Sequence, residues 1–304
     1  MIYPRGRKLA LLMVKYVGKN MLGLLAWDVL VVVLFNAGYL HWAALEEVPL
    51  SLLGSAIGVI LAFRNSSSYA RWWEARTLWG SIVNNSRSWA RLVTVTMRGQ
   101  REDDAALASA IKKMVYLQIA WCHALRQHLR RLDVIPAIST ILSPEEIDQL
   151  KVTSNLPVAI QQIQTKMLRD ALDNGWIDAA QWHAMNQSLD DLVDAQGGSE
   201  RIKNTPMPRQ YDYLPQLSAQ IFCFLLPLTM VASMGWFTPL GSTIVGFIFL
   251  MLDKIGRDLE DPFDNTRHDI PLTSITRTIE INLRQMLGET ELPPPTAPVN
   301  DILW

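Results

Sequence analysis

Charge is scarce in this chain. Asp, Glu, Lys and Arg make up 19% of its 304 residues and apolar residues 49%, whereas a soluble protein carries about a quarter charged residues. The 28 basic and 29 acidic side chains nearly cancel, leaving a formal net charge of −1. A nucleic-acid partner, which calls for a basic excess on one face, is therefore not expected. Cysteine is almost absent: Cys122 and Cys223 stand far apart in apolar or helical surroundings. They form no disulfide framework and read as reduced thiols. Strand-like alternation, internal repeats and low-complexity tracts are missing. So are a Ser-His-Asp set, a Gly-rich phosphate loop and an HExxH helix in suitable context, so the chain does not read as an enzyme. The first 19 residues hold Arg5, Arg7, Lys8, Lys15 and Lys19 with no small-residue cleavage site; a retained membrane span is expected to follow, not a cleaved leader.

What the chain has instead is four apolar stretches. Residues 21–40 are long enough for a helix to cross about 30 Å of hydrocarbon and contain one charge, Asp28. Residues 48–63 form a shorter stretch rich in small side chains. Residues 214–237 form a long one with Pro215 and Pro227, and residues 239–252 a short one ending at Asp253-Lys254. Taken singly, the second and fourth also fit buried core helices. The cations choose between the readings. The loop 41–47 has no Lys or Arg and carries Glu46 and Glu47; the turn 235–238 has no charge. Residues 64–101 hold seven Arg against one acid, Glu74, and Lys254 and Arg257 follow the fourth stretch. Four alternating spans put every basic segment on one side, which the positive-inside rule assigns to the cytoplasm, with both termini.

Residues 64–212 read as a large cytosolic helical region. Ile111, Met114, Val115, Leu117, Ile119, Trp121, Leu125 and Leu129 repeat at helical spacing. Ser143-Pro144-Glu145-Glu146 is a helix start, Asn174-Gly175 a helix stop, and Asp178 caps a helix expected to end at Gln196 before Gly197-Gly198. Residues 253–304 form a C-terminal cytosolic segment whose tail, Leu292 to Pro298, reads as extended and mobile.

Three groups of residues carry possible function. In the second span Gly54, Gly58 and Ala62 recur at four-residue intervals, a small-residue stripe that lets helices approach closely. One position on, Ser55, Val59 and Phe63 form a second stripe. If copies of this helix ring an axis, that stripe faces the hole as a hydrophobic constriction; ordinary membrane-core packing fits the same spacing. Next, Tyr69 to Arg76 interleaves Trp and Arg, with Trp79-Gly80 following, and suits an interfacial belt, with Glu74 pairing locally to Arg71 or Arg76. Last, Asp258, Asp261 and Asp269, within a run that also holds Asp253, Glu260 and Asp264, make a candidate cation site, although Lys254, Arg257 and Arg267 stand ready to neutralise it. Cys122-His123 with His128 is a weaker zinc candidate, because the two histidines point to different helix faces. Asp28 is either functional or a polar contact to a neighbouring helix.

The run Leu52-Leu53-Gly54 through Phe63-Arg64-Asn65-Ser66-Ser67-Ser68-Tyr69-Ala70-Arg71, with Glu74 to Gly80, resembles the second-helix motif of bacterial bestrophin homologues. Residues 197–208, containing Glu200-Arg201-Ile202-Lys203-Asn204-Thr205-Pro206, resemble a second signature. Glu260-Asp261-Pro262-Phe263 with Asp269-Ile270-Pro271-Leu272 resembles a third. The resemblance implies an all-α membrane protein, one channel domain over residues 1–304, with four transmembrane helices, a cytosolic vestibule and a homopentameric axial pore in the bacterial inner membrane. Its partners would be further copies of itself, lipid and small inorganic ions. By this resemblance the family's hydrophobic neck falls on Ser55, Val59 and Phe63, Ser55 being smaller than the usual outermost residue. A second, cytosolic restriction falls near Gln181, polar here. The calcium clasp of animal members maps onto Asp264 to Asp269, where Asn265, Thr266, Arg267 and His268 interrupt the acids, so neither calcium nor zinc is expected to be required. The animal precedent favours chloride and other anions. A cation-selective pore of the same fold, or a scaffold or sensor that does not conduct, remain the alternatives.

Overall fold

The computed structural model describes residues 7–40, 49–99 and 104–304, without the side chains of residues 7–15, 17 and 19. The basic N-terminal side chains, the loop bearing Glu46 and Glu47, and Arg101 thus lie outside the described residues. Helices follow one another along the chain: α1 (Arg7–Asn36), α2 (Leu50–Thr96), α3 (Ala105–Leu129), α4 (Ile135–Ile138), α5 (Pro144–Leu150), α6 (Leu156–Asp173), α7 (Ala179–Asn204), α8 (Arg209–Met234), α9 (Thr238–Glu260) and α10 (Leu272–Met286). Among the described residues the only β-type pairing is one isolated bridge, Val299 to Ile302.

Two compact units emerge, one of residues 3–72 and 206–261, the other chiefly of residues 73–205 and 262–304. The first unit is the apolar one. α8 and α9 fold back on each other through Gly235, whose φ of +51° favours glycine, and a short 3-10 turn, Gly235–Phe237. The pairs Phe222 with Phe249 (ring centroids 4.6 Å apart) and Cys223 with Gly246 fix the antiparallel register. Ile57 and Leu61 of α2 pack into that hairpin against Ala219, Phe222 and Leu226. α1 packs against the hairpin too, with Leu24 beside Cys223 and Leu250, and Val31 and Val32 beside Val231. Trp27 stacks on Phe224 at 4.4 Å and donates from Nε1 to its carbonyl at 2.9 Å. Gly246 has no room for a side chain because Leu24 fills the place. Each of the four apolar stretches overlaps one of these helices, though α1 ends at Asn36, short of residue 40, and α2 starts at Leu50. Within α2 and along residues 209–260 the helix is long and apolar enough to cross a membrane, and residues 20–36 form a shorter apolar helix.

The second unit is built around α3. Met114, Val115, Leu117, Ile119, Trp121 and Leu125 are fully or almost fully buried, the helical repeat seen in the sequence. The core also holds a polar network. Gln118 donates to Ser86 Oγ and accepts from Gln164 Nε2, both at 2.9 Å, and Trp121 Nε1 donates to Gln196 Oε1 at 3.2 Å. Gln118 is tolerated inside because both ends of its amide find partners, whereas Gln164 is paired through Nε2 alone. Asp104 caps α3. Ser143 starts α5 as expected, with Glu146 closing a capping box, Asn174 and Gly175 (φ +70°) end α6, and Asp178 caps α7. α2 continues past the apolar stretch and runs unbroken to Thr96. One expectation needs correction. α7 does not stop at Gln196; it passes through Gly197-Gly198 to Asn204, because a Cβ on Gly198 would stand 2.9 Å from Leu78 Cδ2 and glycine is kept there for close packing. The C-terminal tail is extended, but its end is held: Ser274 N donates to the Trp304 carbonyl at 2.7 Å and Ile302 is 8% exposed.

Candidate pore face and its charged anchors

α2 has two faces over residues 50–68. One, carrying Ile57, Leu61, Arg64 and Ser68, is buried in its own unit. The other carries Val59 (56% exposed), Phe63 (69% exposed) and Ser55 one turn before. The Ser55 hydroxyl donates to Ser51 O at 2.7 Å, so its polarity is spent on its own helix. Four residues advance a helix by about 400°, which keeps the three side chains in line. The result is an uncharged, largely apolar stripe that one chain alone does not cover. A ring of such side chains gives an ion nothing to replace its water, so it passes only hydrated ions through a wetted opening.

The small residues beside the stripe play different parts. Gly54 lies against Phe222 and Phe249, Gly58 has nothing within 4 Å of where its Cβ would be, and Ala62 is exposed. Of these three, only Gly54 is tightly packed within the chain.

Directly after Phe63, Arg64 is 1% exposed. Its Nη1 donates to Asp253 Oδ1 at 2.7 Å and to the Asp253 carbonyl at 3.2 Å, and its Nη2 pairs with Asp212. Arg257 Nη2 completes the group on Asp253 Oδ2 at 2.6 Å. The sequence marks Arg64 only as an inner-side cation. Its partners lie 148 and 189 residues away, so no spacing rule points to them.

The interfacial motif divides. Tyr69 stacks near Trp72 with centroids 6.3 Å apart, Trp73 is 56% exposed, and Arg71 Nε donates to the Glu260 carbonyl at 3.1 Å. Trp79 is fully buried, a core residue and not part of a belt. Glu74 pairs with Arg201 of α7 in place of a neighbour on α2. Asp28 is fully buried and accepts from Ser242 Oγ and Thr243 Oγ1 of α9, each at 3.0 Å, which makes it a polar contact between helices.

The acidic run is occupied by the protein's own groups. Asp258 takes Lys254 Nζ at 3.4 Å, Asp264 takes Lys203 Nζ at 2.5 Å, and Asp269 accepts from Thr266 N and Oγ1 at 2.8 and 2.5 Å. Asp261 caps the end of α9. Asp258 and Asp261 fall in the first unit and Asp269 in the second. Among the described residues no group of three or more His, Cys, Asp or Glu is arranged to hold a metal. His123 Nε2 meets Glu280 Oε2 at 3.1 Å while His128 faces Glu200 at 3.5 Å, so the two histidines serve different acids. Burial holds His123 below the ordinary histidine value, outweighing the pull of Glu280. Burial also pushes Glu280 up, but its hydrogen bond to His123 and the charges of His123, Arg277 and Arg284 together hold it below the usual carboxylate value. Cys122 is buried beside Ser86 and Gln118 and its thiol is pushed up to about 12 by burial, which makes it inert. Gln181 is half-buried at the start of α7; its amide oxygen accepts from Asp178 N at 2.9 Å in the helix cap.

Comparison with known proteins agrees with this architecture. The family model described as Bacterial/Fungal Bestrophin protein matches residues 13–285. The voltage-dependent anion channel-forming protein YneE of Escherichia coli K12 is 34% identical over 245 residues, 81% of this chain and 78% of that protein. A voltage-dependent anion channel-forming protein of Ralstonia nicotianae is 33% identical over 260 residues, 84% of this chain and 83% of its own. The crystal structure of a bacterial bestrophin homologue from Klebsiella pneumoniae superposes with a TM-score of 0.85 at 28% identity, over 90% of this chain and all of that one. With its all-helical architecture and a family match along most of its length, this chain is a membrane protein of the bestrophin family.

Proposed function

We propose that the protein is an anion channel of the bacterial inner membrane, a homopentamer with one axial pore. The observation that carries this reading is the uncharged Ser55, Val59 and Phe63 stripe left open on α2 of the single chain. In a membrane segment such a face meets lipid or further protein; we read it as meeting further copies of the chain, and fivefold closure turns each residue into a ring. Four segments cross the membrane, with both termini and the unit built on α3 in the cytoplasm, as the Lys and Arg distribution of the sequence asks. The second restriction is assigned to the α7 N-terminus around Gln181, where it is polar. The relatives named as anion channel-forming proteins support the sign of the ion. No bound metal is needed for opening, since Asp258, Asp264 and Asp269 are matched by Lys254, Lys203 and Thr266.

The test is purified protein in a planar bilayer under a chloride gradient, together with native mass measurement in detergent. Five subunits and a reversal potential close to that of chloride are expected. A reversal potential following the cation would reverse the sign of selectivity. A pentamer that stays silent would point to a scaffold or sensor, and a stable monomer would end the pore reading.

A further inference from the structure

Charge is buried directly beneath the candidate constriction. Arg64 is the residue after Phe63, and one guanidinium joins three helices: α2 that carries it, α9 through Asp253, and the first turn of α8 through Asp212. Asp253 is itself 2% exposed and shares its second oxygen with Arg257. The flat five-donor fork of arginine makes such a three-way joint feasible; an ammonium is a point charge and cannot span the same partners in fixed directions. Two cations and two carboxylates meet there, and Arg64 and Asp253 are the buried pair. Withdrawing either leaves the other buried with only a more exposed counter-charge, Arg257 or Asp212, which is unfavourable.

The next residue tightens the same clamp. Asn65 lies where a side chain on Gly256 would have to be, so α2 and α9 touch at close range at this level. Successive residues differ by about 100° around a helix, so a turn fixed at Arg64 also fixes the direction of Phe63. The Phe63 ring has no comparable packing of its own in the chain, being 69% exposed.

We infer that Arg64, held by Asp253 and Asp212, is the positioning residue of the neck: it sets the rotation and height of α2 at which Val59 and Phe63 close the pore. The inference rests on the neck reading above. When the joint is intact α2 is locked to the α8 and α9 hairpin, and when it parts the Phe63 turn is released.

The experiment uses the full chain in planar bilayers, with thermal melting of the same preparations. Arg64→Lys keeps the charge and removes the fork. Asp253→Asn keeps the side-chain volume and removes the charge, and it carries the test should Arg64→Lys not assemble. Each is made in the native neck and again with Val59→Ala and Phe63→Ala present. In the native neck both should change the closed-to-open ratio about fivefold or more. In the widened neck they should leave it unchanged, because effects that act through one shared element do not add. An equal change in both backgrounds would show that Arg64 acts elsewhere and overturn the inference while leaving the neck standing. A lowered melting temperature with native open probability in both would reduce Arg64 to a structural anchor. If Val59→Ala with Phe63→Ala by itself leaves current unchanged, the neck reading fails and the inference falls with it.

Discussion

The ring of Phe222 occupies the space that a side chain at Gly54 would need: a Cβ there would stand 3.0 Å from Phe222 Cζ. Phe222 is 4% exposed and packed on Phe249, so it has little freedom to give way. Gly54→Val should therefore cost about 1–3 kcal/mol, the usual range for overpacking, read as a lowered melting temperature. Gly58→Val meets nothing within 4 Å in the chain and should spare the fold of the subunit. Native mass spectra of the two variants separate the roles: a loss of pentamer with Gly58→Val would mark it as a contact between subunits.

Truncating the stripe separates a pore lining from a packed core. Val59 and Phe63 are mostly exposed in the chain, so Val59→Ala with Phe63→Ala opens no cavity within it. Stability should change by no more than about 0.5 kcal/mol, as for exposed positions, whereas a packed pair would lose several kcal/mol. Single-channel conductance or open probability should rise. Unchanged current with a lowered melting temperature would retire the neck.

Acid should weaken the unit built on α3. His123 is held below 6.5 by burial, with Glu280 against it and Arg126, Arg277 and Arg284 around the pair. The unfolded chain then takes up a proton that the folded one refuses. This contribution is complete above pH 6.5 and is lost as pH falls toward the folded value. Glu280, held below 4.5, adds a loss of the same sign below pH 4.5. Melting temperature should fall between about pH 8 and pH 5, and His123→Gln, which does not titrate, should flatten that slope. A variant with the native pH slope would clear His123 of the effect.

Channel current should survive a calcium chelator. Each of Asp258, Asp264 and Asp269 already has a Lys or Thr partner, and a divalent ion would have to displace them and find its six or more oxygens. Current lost on chelation and restored by calcium would show that these contacts yield to metal.

Much of this was legible in the chain itself. Four apolar stretches appear where α1, the start of α2, α8 and α9 stand. The caps at Ser143 and Asp178 were readable because capping is local chemistry, a side chain meeting backbone three residues away, and the stop at Asn174-Gly175 because it too is closed by backbone within a turn. The Ser55, Val59 and Phe63 stripe was readable for a similar reason, since helical periodicity alone puts them in line.

Local rules fail where the partner is distant. Gly197-Gly198 reads as a helix stop, yet α7 continues through it because Leu78 needs the room at Gly198. Glu74 reads as a local pair and instead meets Arg201. Arg64 reads only as a cation on the inner side of the span, and folding brings Asp212 and Asp253 around it. Sequence determined which segments are helical and which of them are apolar, because those depend on composition and on neighbours within a turn. Tertiary structure decided which charges are buried and paired, because a charge leaves water only when an opposite charge from another helix arrives in the right geometry.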